Sequence, residues 1–127
     1  MSADKSLEKP RILVVDDDAN QRTMLATYLD NHGFKSFEAS NGKEALDVMS
    51  GQTVELVVTD VQMPEMSGLE LMKEIRENSP TLPILIITAY GDIKEAVAAV
   101  KDGALSYLQK PIDLEELIDT LRHTHGI

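Results

Sequence analysis

Five polar residues stand at the ends of short strand-like runs in this sequence of 127 residues. In chain order they are Asp16, Asp17, Asp60, Thr88 and Lys110. Strands that are buried on both faces are usually apolar throughout, so acids, a hydroxyl and an amine in these places are not explained by core packing alone. These residue types could act together if the fold brings the strand ends to one edge.

Three carboxylates in one pocket repel one another and raise each other's affinity for protons. A divalent cation relieves that repulsion, and Mg²⁺ prefers hard oxygen ligands, keeps several waters and accepts phosphate as a further ligand. Lys110 offers a mobile positive charge for a phosphoryl oxygen, and Thr88 offers a hydroxyl donor. A carboxylate can itself be the nucleophile and become an aspartyl phosphate. The set therefore predicts phosphoryl transfer, with Asp60 as the candidate nucleophile.

The elements that must position these residues alternate between strand and helix. The strands are predicted over Arg11–Val15, Phe34–Ala39, Glu55–Asp60, Ile84–Thr88 and Ser106–Gln109. The helices are predicted at about Ala19–His32, from Asn41, after the loop Val61–Ser67, from Ile93 to Gly103, and from Asp113 to about Thr124. Continuously apolar strands are typical of a parallel sheet that helices cover on both faces. The sequence therefore predicts a doubly wound α/β domain, in which ligands bind beyond the carboxyl ends of the strands.

Apolar residues at helical spacing mark each helix, and in the second helix they give its inner face. These residues are Met24, Leu25, Tyr28 and Leu29; Ala45, Leu46 and Met49; Leu71, Met72 and Ile75; Ile93, Ala96, Val97 and Val100; and Leu114, Leu117, Ile118 and Leu121. Gly33 is placed to end the first helix in a left-handed conformation, and Asn41 with Glu44 indicates a capping box. Asp18 fits a helix cap better than a metal ligand.

The composition limits what the chain can do. It has no cysteine, which excludes disulfides, thiol nucleophiles and cysteine-based zinc sites. No apolar run reaches the roughly 20 residues of a membrane span. The polar residues 1–9 lack a signal-peptide core, so we expect a cytoplasmic protein without a membrane segment. The formal net charge of -10 argues against direct nucleic-acid binding. We expect residues 1–9 to be a flexible lead and residues 10–127 to be one domain.

From Pro10 to Thr124 the chain resembles the receiver domain of two-component response regulators. The resemblance is carried by Asp16-Asp17, by Asp60 with Met63, Pro64 and Gly68, by Thr88-Ala89, and by Lys110-Pro111. Any one of these pieces is a weak signal, whereas the combination at these spacings is highly specific. It implies a flavodoxin-like (βα)5 doubly wound fold, with a five-stranded parallel sheet of order 2-1-3-4-5.

The resemblance implies that Asp60 accepts a phosphoryl group from a phosphohistidine of a sensor histidine kinase. The ligands of Mg²⁺, or of Mn²⁺ in its place, would be Asp16, Asp17, Asp60 and the backbone carbonyl of Gln62. Lys110 would pair with Asp60 at rest and with the phosphoryl group afterwards. The peptide bond between Lys110 and Pro111 is expected to be cis.

The same resemblance implies a switch through Thr88 and Tyr107. The Thr88 hydroxyl would move toward the phosphoryl oxygen and the Tyr107 ring would turn inward, which shifts a pre-existing equilibrium. The face formed by the fourth helix, the fifth strand and the fifth helix would then carry the output, with a phosphorylation-dependent homodimer as one form of it. A packed strand aromatic is the alternative interpretation of Tyr107. Gln62 and Tyr90 stand where the family adjusts the rate of acyl-phosphate hydrolysis.

A narrower similarity is to the N-terminal receivers of sigma-54-dependent transcriptional activators. It is carried by residues 88–97, by Gly103-Ala104 and by Tyr107-Leu108. In those activators an ATPase domain and a DNA-binding domain follow, so we expect both as output partners in a longer regulator. A free-standing receiver is the alternative. A receiver catalyses its own phosphorylation and dephosphorylation, and it is not classed as a stand-alone enzyme.

Three other interpretations fit the residues less well. A phosphatase or mutase of the haloacid dehalogenase type wants a second Asp two residues after the nucleophile, where this chain has Gln62. A flavin or nucleotide carrier needs a Gly- or Ser/Thr-rich loop after the first strand, where three acids stand instead. The intact set of acids, hydroxyl and lysine argues against a receiver that serves only as an interaction module. His123 and His125 are interpreted as a solvated tail rather than a metal site.

Overall fold

Strands and helices alternate along the chain in the computed structural model, which describes residues 9–89 and 93–125. Within these ranges the elements are β1 Arg11–Val15, α1 Ala19–Asp30, β2 Lys35–Ala39, α2 Gly42–Gly51, β3 Leu56–Asp60, α3 Gly68–Asn78, β4 Ile84–Thr88, α4 Ile93–Lys101, β5 Ser106–Gln109 and α5 Leu114–His125. The predicted alternation is confirmed, and the predicted ends of β4 and β5 agree with the structure. Most of the predicted lead, and Tyr90, lie outside the described residues.

The strands form one parallel sheet in the order β2-β1-β3-β4-β5, which confirms the predicted topology. The register decides which strand ends meet. Val15 lies opposite Thr59, so the residues that follow β1 lie beside Asp60 at the end of β3. Thr88 lies opposite Gln109, which places Lys110 next to the end of β4. The carboxyl edge of the sheet therefore collects the polar residues from four strands.

Two apolar cores lie on the two faces of this sheet. Alternate strand residues point to opposite faces, so Ile12 and Val14 belong to one core and Leu13 and Val15 to the other. The first core is completed by α1 and α5, and the second by α2, α3 and α4. Each fully buried aliphatic side chain stabilises the fold by roughly 1.5–3 kcal/mol. The doubly wound architecture follows from this two-sided burial.

The inner face of α4 is formed by its small residues. Ala96 and Ala99 are the fully buried residues of this helix. By contrast, Val97 and Val100 are each 38% exposed and Ile93 is 36% exposed. The small alanines face the sheet, and the larger aliphatic side chains lie toward solvent. The apolar residues that marked this helix in the sequence are therefore divided between the sheet and an exposed apolar surface.

Met24 belongs to the apolar face predicted for α1, yet it is 48% exposed. Leu25 and Leu29 of the same helix are buried as predicted. The buried residues of α1 are Leu25, Ala26 and Leu29, so the side of the helix that carries Met24 faces solvent. Within the described ranges, no helix is both long and apolar enough to cross a membrane.

Hydrogen bonds at the helix ends agree in part with the predicted caps. Asp18 accepts from the first backbone N–H groups of α1, which confirms its interpretation as a cap. Asn41 caps α2, but the Glu44 carboxylate accepts from the Ser40 N–H instead of closing a box on Asn41. A complete capping box is found on α3, between Ser67 and Glu70. The Ser-x-x-Glu pattern was present in the sequence and was overlooked.

Candidate functional site

Three carboxylates converge at the carboxyl edge of the sheet. One oxygen from each of Asp16, Asp17 and Asp60 lies within 4.8 Å of the other two. Asp16 and Asp60 are buried, whereas Asp17 is exposed. Because β1 and β3 are neighbours in the sheet, Asp16 and Asp17 after β1 lie beside Asp60 at the end of β3. The cluster is therefore a pocket with two acids in its floor and one at its rim.

Lys110 supplies a positive charge inside this pocket. Its Nζ lies 2.7 Å from Asp60 Oδ2 and 3.8 Å from Asp16 Oδ2. The backbone N–H of Lys110 donates to the Thr88 carbonyl over 2.9 Å, which anchors the residue at the end of β4. The peptide bond to Pro111 is cis, as the resemblance implied. The ion pair joins the ends of β3 and β5 across the site.

Asp16 and Lys110 have shifted pKa values. Burial raises the pKa of Asp16, and the Asp18 N–H and the Lys110 charge offset this effect only in part. Burial acts to lower the pKa of Lys110, but its hydrogen bond to Asp60 and the charges of the three acids outweigh burial and raise that pKa. Because carboxylates outnumber the lysine, the pocket favours a further cation.

Backbone N–H groups orient the two buried carboxylates. Asp16 Oδ1 accepts from the Asp18 N–H over 2.9 Å, and Asp60 Oδ1 accepts from the Gln62 N–H over 3.2 Å. The second bond places the Gln62 peptide beside the Asp60 carboxylate. The pocket thus presents hard oxygen donors held by the backbone, and this donor set fits Mg²⁺ or Mn²⁺.

Gly68 allows the chain after β3 to fold back onto Asp60. A Cβ at this position would overlap the carbonyl oxygen of Asp60, and the Gly68 N–H donates to the Val61 carbonyl over 2.7 Å. In the same loop Glu65 has a φ of 70°, a left-handed conformation that non-glycine residues adopt at some cost. The sequence pattern included Gly68, and the structure supplies the reason: the backbone of α3 packs directly against the backbone of Asp60.

Thr88 ends β4 and Tyr107 lies on β5, at the strand positions predicted from the sequence. Thr88 is buried and follows Ile87, which lies opposite Asp60 in the sheet. Its hydroxyl donates to the Ala89 carbonyl over 3.4 Å. Tyr107 is half-buried on β5 and packs against the second core. A ring at the border between core and solvent can move between the two.

Arg22 contacts the site and was not singled out from the sequence. One guanidinium N–H donates to the Asp16 carbonyl over 2.8 Å, and Nε lies 3.2 Å from Glu38 Oε1. A signal was available, because a cation in the first turn of a helix opposes the helix dipole and indicates a specific partner.

By contrast, His123 contacts the Asp119 carbonyl of its own helix, and the side chain of His125 lies outside the described residues.

The chain belongs to the response regulator receiver domain family, whose model matches residues 12–122. It is therefore a receiver domain of the two-component response regulator class. Transcriptional regulatory protein ZraR of Escherichia coli (strain K12) is 44% identical over 120 residues, which cover 91% of this chain and 27% of ZraR. DNA-binding transcriptional regulator NtrC of Escherichia coli (strain K12) is 37% identical over 112 residues, covering 88% of this chain and 24% of NtrC. The chain spans about a quarter of the length of these curated relatives.

Solved structures agree with this assignment. A response regulator receiver protein from Pseudomonas putida superposes with a TM-score of 0.86 at 32% identity, covering 97% of this chain and 99% of that chain. NtrX from Brucella abortus, solved in complex with ADP, superposes with a TM-score of 0.87 at 31% identity. That match covers 91% of this chain and 26% of the NtrX chain. The similarity to NtrC and ZraR confirms the narrower likeness to regulators of that type.

Proposed function

We propose that Asp60 is the phosphoryl acceptor of this receiver domain, within residues 10–127, and that the donor is a phosphohistidine of a sensor histidine kinase. The observation that carries the proposal is the 2.7 Å ion pair between Asp60 and Lys110 inside a cluster of three acids. The Lys110 ammonium holds the buried Asp60 carboxylate in place as a candidate nucleophile, and the neighbouring acids offer further oxygen ligands for a cation.

In the transfer step, an oxygen of the Asp60 carboxylate attacks phosphorus as the phosphorus–nitrogen bond to the donor histidine breaks. The bonding electron pair stays on the imidazole nitrogen, and an acyl phosphate forms. Asp16, Asp17, Asp60 and the Gln62 carbonyl would hold Mg²⁺ or Mn²⁺, which would offset the negative charge of the phosphoryl oxygens. Lys110 exchanges its contact with the carboxylate for one with a phosphoryl oxygen. Its flexible stem and compact charge suit this exchange.

Phosphorylation switches the domain through Thr88 and Tyr107. The Thr88 hydroxyl turns from the Ala89 carbonyl toward the phosphoryl group, and the Tyr107 ring packs deeper into the second core. The population then shifts toward a state with a different surface on α4, β5 and α5. The names of the relatives support transcriptional output and DNA binding. On the resemblance to sigma-54-dependent activators, we propose further an ATPase output domain, a cytoplasmic location and phosphorylation-dependent dimer formation. The domain acts as a switch, and its self-phosphorylation does not make it a stand-alone enzyme.

Intact-mass measurement after incubation with acetyl phosphate and Mg²⁺ tests the assignment. We expect one base-labile phosphoryl adduct that requires the metal and disappears in Asp60→Ala. Asp47→Ala is the matched control, because Asp47 is an exposed acid on α2, and it should be labelled like the wild type. Equal labelling of Asp60→Ala and the wild type would show that another residue is the acceptor.

A further inference from the structure

The side chain of Arg22 bridges two segments that lie far apart in the sequence. It donates to the Asp16 carbonyl over 2.8 Å at the end of β1, and it pairs with Glu38 of β2 over 3.2 Å. Only 18% of its side chain is exposed. Thr23 donates to the same Glu38 oxygen over 3.3 Å. The guanidinium thus joins the loop that carries the acidic pair to the edge strand of the sheet.

We infer that Arg22 is a positioning residue for the Asp16–Asp17 pair and sets the affinity of the pocket for a divalent cation. The inference rests on the proposed function, since it presumes that the pair binds Mg²⁺. Its physical basis is the peptide group between the two acids. The Asp16 carbonyl belongs to that peptide, so the hydrogen bond from Arg22 fixes the plane from which Asp17 projects.

The remaining contacts of Asp16 leave this peptide as the adjustable part of the loop. The Asp16 N–H donates to the Ala39 carbonyl over 3.1 Å, and its carboxylate accepts from the Asp18 N–H. Both bonds hold Asp16 itself. Asp17 is exposed, and the direction of its side chain depends on the peptide that precedes it. Loss of the contact from Arg22 would release that peptide and widen the range of positions open to the Asp17 carboxylate.

Arginine suits this task better than lysine. A planar guanidinium offers several N–H groups in a fixed fork, so one can donate to the carbonyl while another pairs with Glu38. A lysine ammonium is a flexible point charge that would not hold both partners in one geometry. The Glu38 ion pair is partly exposed and contributes little stability by itself, so its effect is to orient the guanidinium.

The test is a calorimetric titration of Mg²⁺ into the full chain without phosphodonor. Removing a residue that supports metal ligands typically weakens metal binding by about 10–100-fold, and we expect about tenfold for Arg22→Ala. Arg22→Lys should bind Mg²⁺ only a few times more tightly than Arg22→Ala, because the fork is lost. If Arg22→Ala does not fold, the same comparison is made with Arg22→Lys against the wild type.

Arg76→Ala is the matched control. Arg76 also donates to backbone carbonyls, those of Leu82 and Gly103. These carbonyls precede β4 and β5, so they lie at the amino ends of the strands, opposite the acidic pocket. Its loss should lower the melting temperature without changing Mg²⁺ affinity. Unchanged affinity in both Arg22 variants, or an equal loss in Arg76→Ala, overturns the inference. Absence of Mg²⁺ binding by the wild type would instead contradict the proposed function.

Discussion

Asp16 and Asp60 end neighbouring strands, yet their surroundings differ. Asp60 has Lys110 at 2.7 Å, whereas Asp16 lies 3.8 Å from the same ammonium group. Burial therefore dominates at Asp16 and raises its pKa above the ordinary value of 3.8. A carboxyl group whose pKa is raised on folding is costly to ionise. This cost is fully present above the raised pKa, and it is lost as the pH falls through that pKa to the ordinary value.

Asp16→Asn should therefore raise the melting temperature of the metal-free protein at pH 7 by a few degrees. The amide keeps an oxygen for the Asp18 N–H and removes the buried charge. The same change should abolish the rise in melting temperature that Mg²⁺ gives to the wild type. Thermal denaturation with and without Mg²⁺ measures both effects.

Asp17→Asn is the control for this prediction. Asp17 is exposed, so its neutralisation should leave the metal-free melting temperature nearly unchanged. A lower melting temperature for metal-free Asp16→Asn, or an equal rise in both variants, would mean that burial of the Asp16 charge is not costly.

At the scale of elements, the position of Asp60 depends on the loop that follows β3. Asp60 is fixed on one side by the sheet and on the other by the start of α3, where Gly68 contacts its carbonyl group. The loop is further anchored where Met66 packs against Gly42 at the start of α2. Asp60 is thus held by backbone contacts, so small residues in this loop affect the site directly.

Gly68→Ala should destabilise the protein by about 1–3 kcal/mol, the usual cost of overpacking, because the new methyl group overlaps backbone that cannot move aside. It should also slow phosphorylation by acetyl phosphate, since Asp60 must shift. Urea denaturation and the labelling rate are the measurements.

Gly51→Ala is the matched control, because no atom lies within 4 Å of a Cβ built at this position. It should be stabilising by roughly 0.4–1 kcal/mol and label at the wild-type rate. Similar stability of Gly68→Ala and Gly51→Ala would argue against the close approach of α3 to Asp60.

At the scale of the whole molecule, exposed apolar side chains on α4 form a surface outside the acidic pocket. Among the described residues, the large hydrophobic side chains that are exposed are Met24 on α1 and Ile93, Val97, Val100 and Leu105 on or after α4. Ile93, Val97 and Val100 share one face of α4, because they are four and three residues apart along the helix. Contiguous exposed apolar residues are typical of interaction surfaces. This face includes the α4 part of the surface that we propose to change on phosphorylation.

Val97→Lys should abolish the self-association that acetyl phosphate and Mg²⁺ induce, and it should leave labelling of Asp60 unchanged. Because Val97 is exposed, its replacement should change the free energy of unfolding by no more than about 0.5 kcal/mol. Light scattering coupled to size-exclusion chromatography measures the molar mass of the labelled protein.

Met24→Lys places the same charge at an exposed hydrophobic residue on α1, outside the α4 face, and should assemble like the wild type. Assembly of Val97→Lys, or a wild type that remains monomeric after labelling, would contradict a role of this face in self-association.

The sequence by itself determined the order of elements, the parallel sheet and the identity of the pocket residues. Strand and helix periodicities are local properties, and polar residues at the ends of apolar strands are visible without coordinates. The resemblance to receiver domains added the strand order, from which the meeting of Asp60 with Asp16 and Lys110 follows. The roles that the resemblance assigns to Thr88 and Tyr107 remain predictions, since the structure gives the positions of these residues and not their movements.

Only the tertiary structure decided how helices are rotated on the sheet and which side chains bridge distant segments. The spacing of Val97 and Ala96 is equally helical, and contact with the sheet selected the alanine face because it allows close packing. The bridge from Arg22 to Glu38 and the contact of Gly68 with Asp60 join segments whose proximity no local pattern encodes. Burial of Asp16 beside an exposed Asp17 likewise depends on what covers each residue, and the raised pKa of Asp16 follows from that.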